Sequence, residues 1–169
     1  VKRAGCKASI STNGVFIDRK IEVLKEFDWV NVSLDGYDYD SFKKYRGGTP
    51  AEFDKIICGL DLLRTNNIPF GNSFVLSEEN VHEVNAMLEL ARTTRPSRVT
   101  FYNINGHGCE DFHSLVAGSE KVQHMLRDVT SRNDYPFEIE LPVIFDPESE
   151  DFASNKCTQQ WSMACFNDK

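Results

Sequence analysis

The sequence lacks an apolar run of about 18 residues, the length that a membrane-spanning helix requires. It also lacks an extended basic run, and its net charge is −7. Nucleic-acid affinity rests largely on Lys and Arg side chains that neutralise phosphates. We therefore expect neither a membrane span nor a nucleic-acid partner.

Cysteines are few, odd in number and irregularly spaced. The five are Cys6, Cys58, Cys109, Cys157 and Cys165. Such a set does not suit a secreted disulfide framework, and it favours the reducing cytoplasm as the location. The sequence also has no P-loop, no H-E-x-x-H zinc motif and no Ser-His-Asp order, so these common catalytic types are not indicated.

What the sequence does contain is an alternation of strand and helix patterns. β-rich runs predict strands at 7–11, 29–34, 70–76 and 98–104, and a strand-like run at 137–144. Apolar residues at helical spacing predict helices between them, including 18–27, 39–45 and about 119–130. Such units form parallel strands with right-handed crossovers, so the fold class is α/β. Doubly wound sheets and (β/α) barrels both fit this pattern.

Two helix starts carry capping-box signals. Thr49 is followed by Pro50 and Glu52, and Asn80 is followed by Glu83. In a capping box the first side chain accepts from the third helical N–H, and the acidic side chain accepts from the cap's own N–H. We therefore expect helices to begin at both places. For Asn80 we favour the role of a cap over the alternative of facing a site at the end of the strand before it.

Small or polar residues stand at the carboxyl end of each of the first four predicted strands. Barrel enzymes build their active sites at that end, which favours a barrel. The residues are Ser11 to Asn13, Ser33 and Asp35, Ser77 to Asn80, and Asn103 and Asn105.

Four stretches in this order resemble the third to sixth strands of radical S-adenosylmethionine (SAM) enzymes. They are Ser11-Thr12-Asn13-Gly14, Val32-Ser33-Leu34-Asp35-Gly36, Tyr45-Arg46-Gly47-Gly48 with the helix after it, and Asn80 with Tyr102–Gly106. The resemblance implies a partial (β/α) barrel over residues 1–145, strands three to six of the usual six. A C-terminal extension over 146–169 follows, and Cys157 and Cys165 resemble the opening of a SPASM-type domain for auxiliary iron–sulfur clusters.

Two motifs of that family are missing. The family holds its 4Fe–4S cluster by three cysteines in a C-x3-C-x2-C loop, and a Gly-Gly-Glu-type motif on the second strand contacts SAM. Neither is present, and Val1 is neither an initiator methionine nor part of an apolar signal stretch. We interpret the chain as part of a longer enzyme, the parent enzyme, which would bind SAM and the cluster. We expect this chain alone to bind neither.

The resemblance also implies candidate site residues. Ser33 would hydrogen-bond polar groups of SAM, Arg46 would pair with its carboxylate, and Asp35 would orient the loop or reach the ligand. The alternatives are a strand serine, a surface arginine, and an Asx turn at Asp35-Gly36. Asn13 and Asn103 would line the site.

The cysteines are expected to have two different roles. Cys157 would bind an auxiliary cluster, as the resemblance to a SPASM-type domain implies. Cys6 and Cys58 are expected to be small core residues rather than ligands, because cysteine is among the residue types most often buried.

The function implied by the resemblance is reductive cleavage of SAM to a 5′-deoxyadenosyl radical. That radical would modify a peptide, a protein or a small molecule. One alternative is a non-catalytic module that dimerises through the exposed edge of its first strand. The other is a different (β/α) barrel enzyme.

Overall fold

The computed structural model describes residues 5–77, 79–103, 120–131 and 134–141. Its strands are β1 (Ser9–Thr12), β2 (Trp29–Ser33), β3 (Phe70–Leu76), β4 (Arg98–Asn103) and β5 (Glu138–Glu140). Its helices are α1 (Ile17–Leu24), α2 (Tyr39–Arg46), α3 (Pro50–Thr65), α4 (Val84–Thr94) and α5 (Glu120–Ser131). No described helix combines the length and apolarity that crossing a membrane requires.

The strands form one parallel sheet in the order β1-β2-β3-β4-β5. A doubly wound sheet reverses its strand order at a switch point, whereas a barrel wall keeps chain order. The observed order therefore confirms the α/β class and the partial barrel. β5 continues the same sheet, so the described wall has one strand more than the four that the resemblance implied.

One side of the sheet packs against the helices. In β2 the fully buried Val30 and Val32 alternate with the half-buried Trp29, Asn31 and Ser33, as expected for a strand whose side chains alternate between faces. The buried strand residues join one apolar cluster with α1, α3 and α4. Its helix members include Ile17, Leu24, Ile56, Leu60, Leu63, Met87 and Leu88.

The start of α3 confirms the first capping box. Thr49 Oγ1 accepts a hydrogen bond from the Glu52 N–H at 3.3 Å, and Glu52 Oε2 accepts one from the Thr49 N–H at 2.8 Å. Pro50 occupies the first helical turn, where its missing N–H leaves no bond unmade. Local sequence is sufficient to start this helix.

The second predicted capping box is wrong. The Asn80 side chain makes no cap bond; its Oδ1 accepts from the Ser77 N–H and its Nδ2 donates to the Val75 carbonyl, both at 2.8 Å. Asn80 is buried, so its amide is better used on backbone groups at the end of β3. A single 3-10 turn, Val81–Glu83, then leads into α4.

The expectation that Cys6 and Cys58 lie in the core is also wrong, because both are exposed. The inward positions of α3 are taken by Ile56, Gly59 and Leu60, which places Cys58 on the outward side. Cys6 precedes β1, outside the packed elements.

Candidate functional site

The side of the sheet that faces away from the helix core is polar. We call it the polar face, and it is defined by Asn31, Ser33, Ser73, Arg98, Thr100, Tyr102, Glu138 and Glu140. The strand register places Ser33 beside Ser73, Ser73 beside Thr100, and Thr100 beside Glu140. A continuous row of polar side chains therefore crosses four strands.

Side-chain hydrogen bonds link β2 with β3 and β4 with β5 on this face. Asn31 Nδ2 donates to Ser73 Oγ at 3.0 Å, and Ser73 Oγ lies 3.5 Å from Ser33 Oγ. Thr100 Oγ1 donates to Glu140 Oε2 at 3.1 Å. Ser73 and Thr100 are buried, so the row can offer a ligand the half-buried Ser33 hydroxyl at β2 and the exposed Glu140 carboxylate at β5.

Asp35, just beyond β2, lies at the carboxyl end of this face. Its Oδ1 accepts from the Val75 N–H at 2.9 Å, and its Oδ2 accepts from Arg46 Nη1 at 2.9 Å. The carboxylate thus joins β2, β3 and α2. The Asx turn considered from the sequence is not what these contacts form, because both carboxylate oxygens bond to groups distant in sequence.

Arg46 is the last residue of α2 and reaches the same point. Besides Asp35, its Nη1 donates to the Ser33 carbonyl at 3.0 Å. The Arg46 and Asp35 side chains are only 27% and 18% exposed, so their ion pair is partly shielded from water. Ser33, Asp35 and Arg46, which the sequence singled out separately, are therefore brought together.

Gly36 makes this approach possible. A Cβ at Gly36 would lie 2.3 Å from the backbone nitrogen of Phe42, in the middle of α2. Only glycine lets the chain pass so close to the helix. Gly47, with a φ of 72°, then ends α2 directly after Arg46.

The structure describes fewer contacts for the other predicted site residues. Asn13 follows β1 directly, and its Oδ1 accepts from the Val15 N–H at 3.2 Å. Asn103 is the last residue of β4 and pairs with Leu76 in the register, but its side chain lies outside the described residues. Cys157 also lies outside them.

Ser73, Thr100 and Glu140 were missed from the sequence. A serine or threonine in the middle of a β-rich run carries no special local signal. Their position becomes visible only when the strands are aligned in register, with every second residue on the polar face. Tyr102 also lies on this face, and burial, with a smaller contribution from the charge of Glu140, raises its pKa.

The sequence profile of the radical SAM superfamily matches residues 1–91, from before β1 into α4. The match covers more than half of the chain and includes Ser33, Asp35 and Arg46. This chain belongs to the radical SAM superfamily. Membership disfavours the alternative of an unrelated barrel enzyme.

Two radical SAM relatives come from Methanosarcina barkeri. The chain is 35% identical over 106 residues to an Fe-coproporphyrin III synthase, covering 61% of this chain and 26% of that protein. It is 28% identical over 126 residues to an AdoMet-dependent heme synthase, covering 72% and 36%. The chain therefore spans about a quarter to a third of these relatives.

Solved structures show the same fold. Streptococcus suis SuiB bound to S-adenosylmethionine matches with a TM-score of 0.63 and 13% identity over 82% of this chain and 33% of that one. SuiB bound to its precursor peptide SuiA matches with a TM-score of 0.66 and 13% identity, over 82% and 32%. These likenesses support the barrel and extend beyond the residues that the family profile matches.

The described residues fit SAM and an iron–sulfur cluster differently. The half-buried Ser33 hydroxyl and the Arg46 guanidinium are suited to the polar and carboxylate groups of SAM. Among the described residues, no group of three or more His, Cys, Asp or Glu side chains could hold a metal ion. The part of the chain that the structure describes therefore does not fit a cluster.

Proposed function

We propose that this chain forms the SAM-binding part of the barrel wall in a radical SAM enzyme. The observation that carries the proposal is the meeting of Ser33, Asp35 and Arg46 at the carboxyl end of β2, within the family match. In the parent enzyme, the cluster and SAM together supply the 5′-deoxyadenosyl radical. The residues of this chain bind SAM, orient it and exclude water from it.

Each of the three residues has a separate role in this proposal. The Ser33 hydroxyl, on the polar face, hydrogen-bonds a polar group of SAM. Arg46 attracts the carboxylate of SAM through guanidinium N–H groups other than those of Nη1, which bonds to Ser33 and Asp35. Asp35 holds Arg46 and the β3 backbone in place rather than contacting SAM, because both of its oxygens are engaged. Asn13 completes the rim, whereas Asn103 follows Tyr102 by one position on β4, out of phase with the polar face, and has no assigned contact.

We propose a peptide or a small molecule as the substrate of the parent enzyme. SuiB, a structural relative, has a precursor peptide bound, and the sequence relatives include an Fe-coproporphyrin III synthase and an AdoMet-dependent heme synthase. The polar face offers a polar substrate both acceptor and donor groups, since it carries the Glu140 carboxylate and the Arg98 guanidinium. The SPASM-type extension, with Cys157 as a cluster ligand, remains part of the same proposal.

The experiment is a measurement of SAM affinity in the parent enzyme. The protein is reconstituted anaerobically with iron and sulfide, and SAM binding is followed by calorimetry for the wild type, Ser33→Ala and Arg46→Ala. We expect each substitution to weaken binding about tenfold, the effect of losing one hydrogen bond to a charged group. Lys20→Ala, on the exposed side of α1, is the control.

The same preparation tests the reaction. After reduction, the wild type should release 5′-deoxyadenosine and methionine from SAM, and the residues 1–169 alone should not. Unchanged SAM affinity in both variants would remove the site assignment. A spectroscopic signal of a cluster that shifts with SAM in residues 1–169 alone would contradict the expectation that this part binds no cofactor.

A further inference from the structure

A carboxylate from the β3–α4 connection contacts α2. Glu83 Oε2 accepts a hydrogen bond from Ser41 Oγ at 2.7 Å. Glu83 Oε1 lies 3.3 Å from the Tyr45 hydroxyl, which also lies 3.3 Å from the Glu79 carbonyl, so the two acceptors share its single proton. Ser41 and Tyr45 are four residues apart, on the same side of α2. The Glu83 side chain is only 13% exposed, which keeps water from competing for these bonds.

The next residue along α2 enters the candidate site. Arg46 directly follows Tyr45, and its guanidinium bonds to the Ser33 carbonyl and to Asp35. A rotation or shift of α2 that broke the bonds to Glu83 would move the backbone of Arg46 with it. The position of the guanidinium is therefore coupled to Glu83 through the helix.

The contacts close into a ring. The Glu83 N–H donates to the Asn80 carbonyl at 2.8 Å, and Asn80 Nδ2 donates to the Val75 carbonyl at 2.8 Å. The Val75 N–H in turn donates to Asp35, the partner of Arg46, at 2.9 Å. α2 is thus held at two points, by Glu83 on one side and by Asp35 on the other.

We propose that Glu83 is a positioning residue for the SAM site: it holds α2 so that Arg46 lies beside Ser33 and Asp35. This inference rests on the proposed function, in which Arg46 contacts SAM. A carboxylate suits the role because its two oxygens accept from two hydroxyl groups at once. Glutamine would keep one of these acceptors and alanine neither.

The test measures SAM affinity in the cluster-loaded parent enzyme by calorimetry. We expect Glu83→Ala to weaken SAM binding about tenfold, because both bonds to α2 are lost. We expect Glu83→Gln to weaken it about threefold, because one of the two bonds is lost. Glu89→Ala is the matched control, because Glu89 lies on α4, is exposed and pairs only with Arg92 among the described residues. We expect the control to bind SAM as the wild type does.

A double-mutant cycle separates positioning from a general loss of structure. If Glu83 acts through Arg46, Glu83→Ala should have no further effect on affinity in an Arg46→Ala background. Two results would overturn the inference and leave the proposed function standing. One is that the losses of SAM affinity in the two single variants add up in the double variant. The other is that Glu83→Ala binds SAM with full affinity while Arg46→Ala binds it weakly. Full affinity in both Arg46→Ala and Ser33→Ala would remove the proposed site together with it.

A second measurement needs no cofactor. In residues 1–169, hydrogen exchange of the α2 amides should accelerate in Glu83→Ala, and exchange in α3 should not. Ser41→Ala combined with Tyr45→Phe removes both contacts with Glu83 from the helix side, together with the contacts of the Tyr45 hydroxyl with the Glu79 carbonyl and Lys44. This double variant replaces Glu83→Ala in both tests if Glu83→Ala does not fold. Unchanged exchange in α2 would contradict the claim that Glu83 holds this helix.

Discussion

Asp35 combines two demands that few residue types meet. Its φ is 53°, a left-handed conformation that is uncommon for residues other than glycine but that aspartate and asparagine tolerate. Its carboxylate must also accept from the Val75 N–H and from Arg46. Asp35 thus links two strand ends to a helix in a strained backbone conformation. Two different substitutions at this position can therefore separate the effect of backbone strain from the loss of hydrogen bonds.

We expect Asp35→Asn to be milder than Asp35→Ala. Asparagine keeps the conformation and an acceptor for the Val75 N–H but loses the charge that pairs with Arg46, at a cost of about 1 kcal/mol. Alanine loses both bonds and adds strain, at a cost of about 2–3 kcal/mol. Urea unfolding of residues 1–169 measures both. Equal stabilities for the two variants would show that the acceptor at position 35 contributes nothing.

Two glycines beside this site differ in what a methyl group would meet. At Gly36 a Cβ would clash with the α2 backbone, whereas at Gly47 nothing lies within 4 Å and only the φ of 72° is unfavourable. We expect Gly36→Ala to lower the free energy of unfolding by more than about 2 kcal/mol, and Gly47→Ala by about 1 kcal/mol. Thermal unfolding of both variants decides this. A larger loss for Gly47→Ala would mean that α2 can move away from Gly36.

At the scale of elements, the helix starts and strand positions were predictable where the signal is local. The capping box of α3 and the apolar spacing of its inward side lie within a few residues of each other. Contacts between elements were not predictable in this way. Ser41 and Glu83 are 42 residues apart, and Asn80 resembled a cap because its real partners, at the end of β3, cannot be recognised without the fold.

The candidate site was likewise predictable only where its signals are local. Ser33, Asp35 and Arg46 stand in short stretches that carry the family resemblance, so the sequence pointed to them one by one. Their meeting depends on α2 turning back over the end of β2, which no stretch encodes alone. Thr100 and Glu140 join the site through strand register, which only the assembled sheet sets.

The α3 capping box should be visible in the pH dependence of stability. The hydrogen bond from the Thr49 backbone, and then that from its side chain, lower the pKa of Glu52. A lowered folded-state pKa means that the stabilisation is present above the ordinary glutamate pKa and is lost as the pH falls through the folded-state value. We expect the stability advantage of the wild type over Glu52→Gln to shrink below about pH 4.3.

Urea midpoints between pH 3 and pH 7, where the fold persists, measure that difference. Glu26→Gln, at an exposed position after α1, is the control, and its difference from the wild type should vary less with pH. A constant difference between the wild type and Glu52→Gln over the whole range would show that the cap bonds do not favour the charged carboxylate.

At the scale of the whole molecule, the strands of the sheet differ in how far they are buried and paired. The residues of β2 and β3 that face the helices are fully or almost fully buried. Among the described strands, β1 and β5 pair on one side only, and both are partly exposed. A side-chain cluster on the polar face supports β5. Arg98 on β4 bonds to Glu138 at 2.9 Å, lies 3.6 Å from Glu140, and places its guanidinium 5.6 Å from the ring centroid of Trp29.

This arrangement predicts two groups of strands with different rates of amide hydrogen exchange. Amides of β2 to β4 should exchange slowly and those of β1 and β5 faster, because edge strands open without disrupting the core. Arg98→Met should then accelerate exchange in β5 up to about fivefold, since partly exposed ion pairs contribute at most about 1 kcal/mol. Exchange in β1, at the opposite edge, should not change.

The control for this variant is Arg64→Met, which removes an exposed ion pair with Asp61 within α3 and should leave β5 unaffected. Faster exchange in both edge strands of Arg98→Met would indicate a global loss of stability. Unchanged exchange in β5 would mean that Ile139 and the backbone ladder hold this strand without Arg98. The distinction matters for function, because Glu140 reaches the polar row only while β5 remains paired with β4.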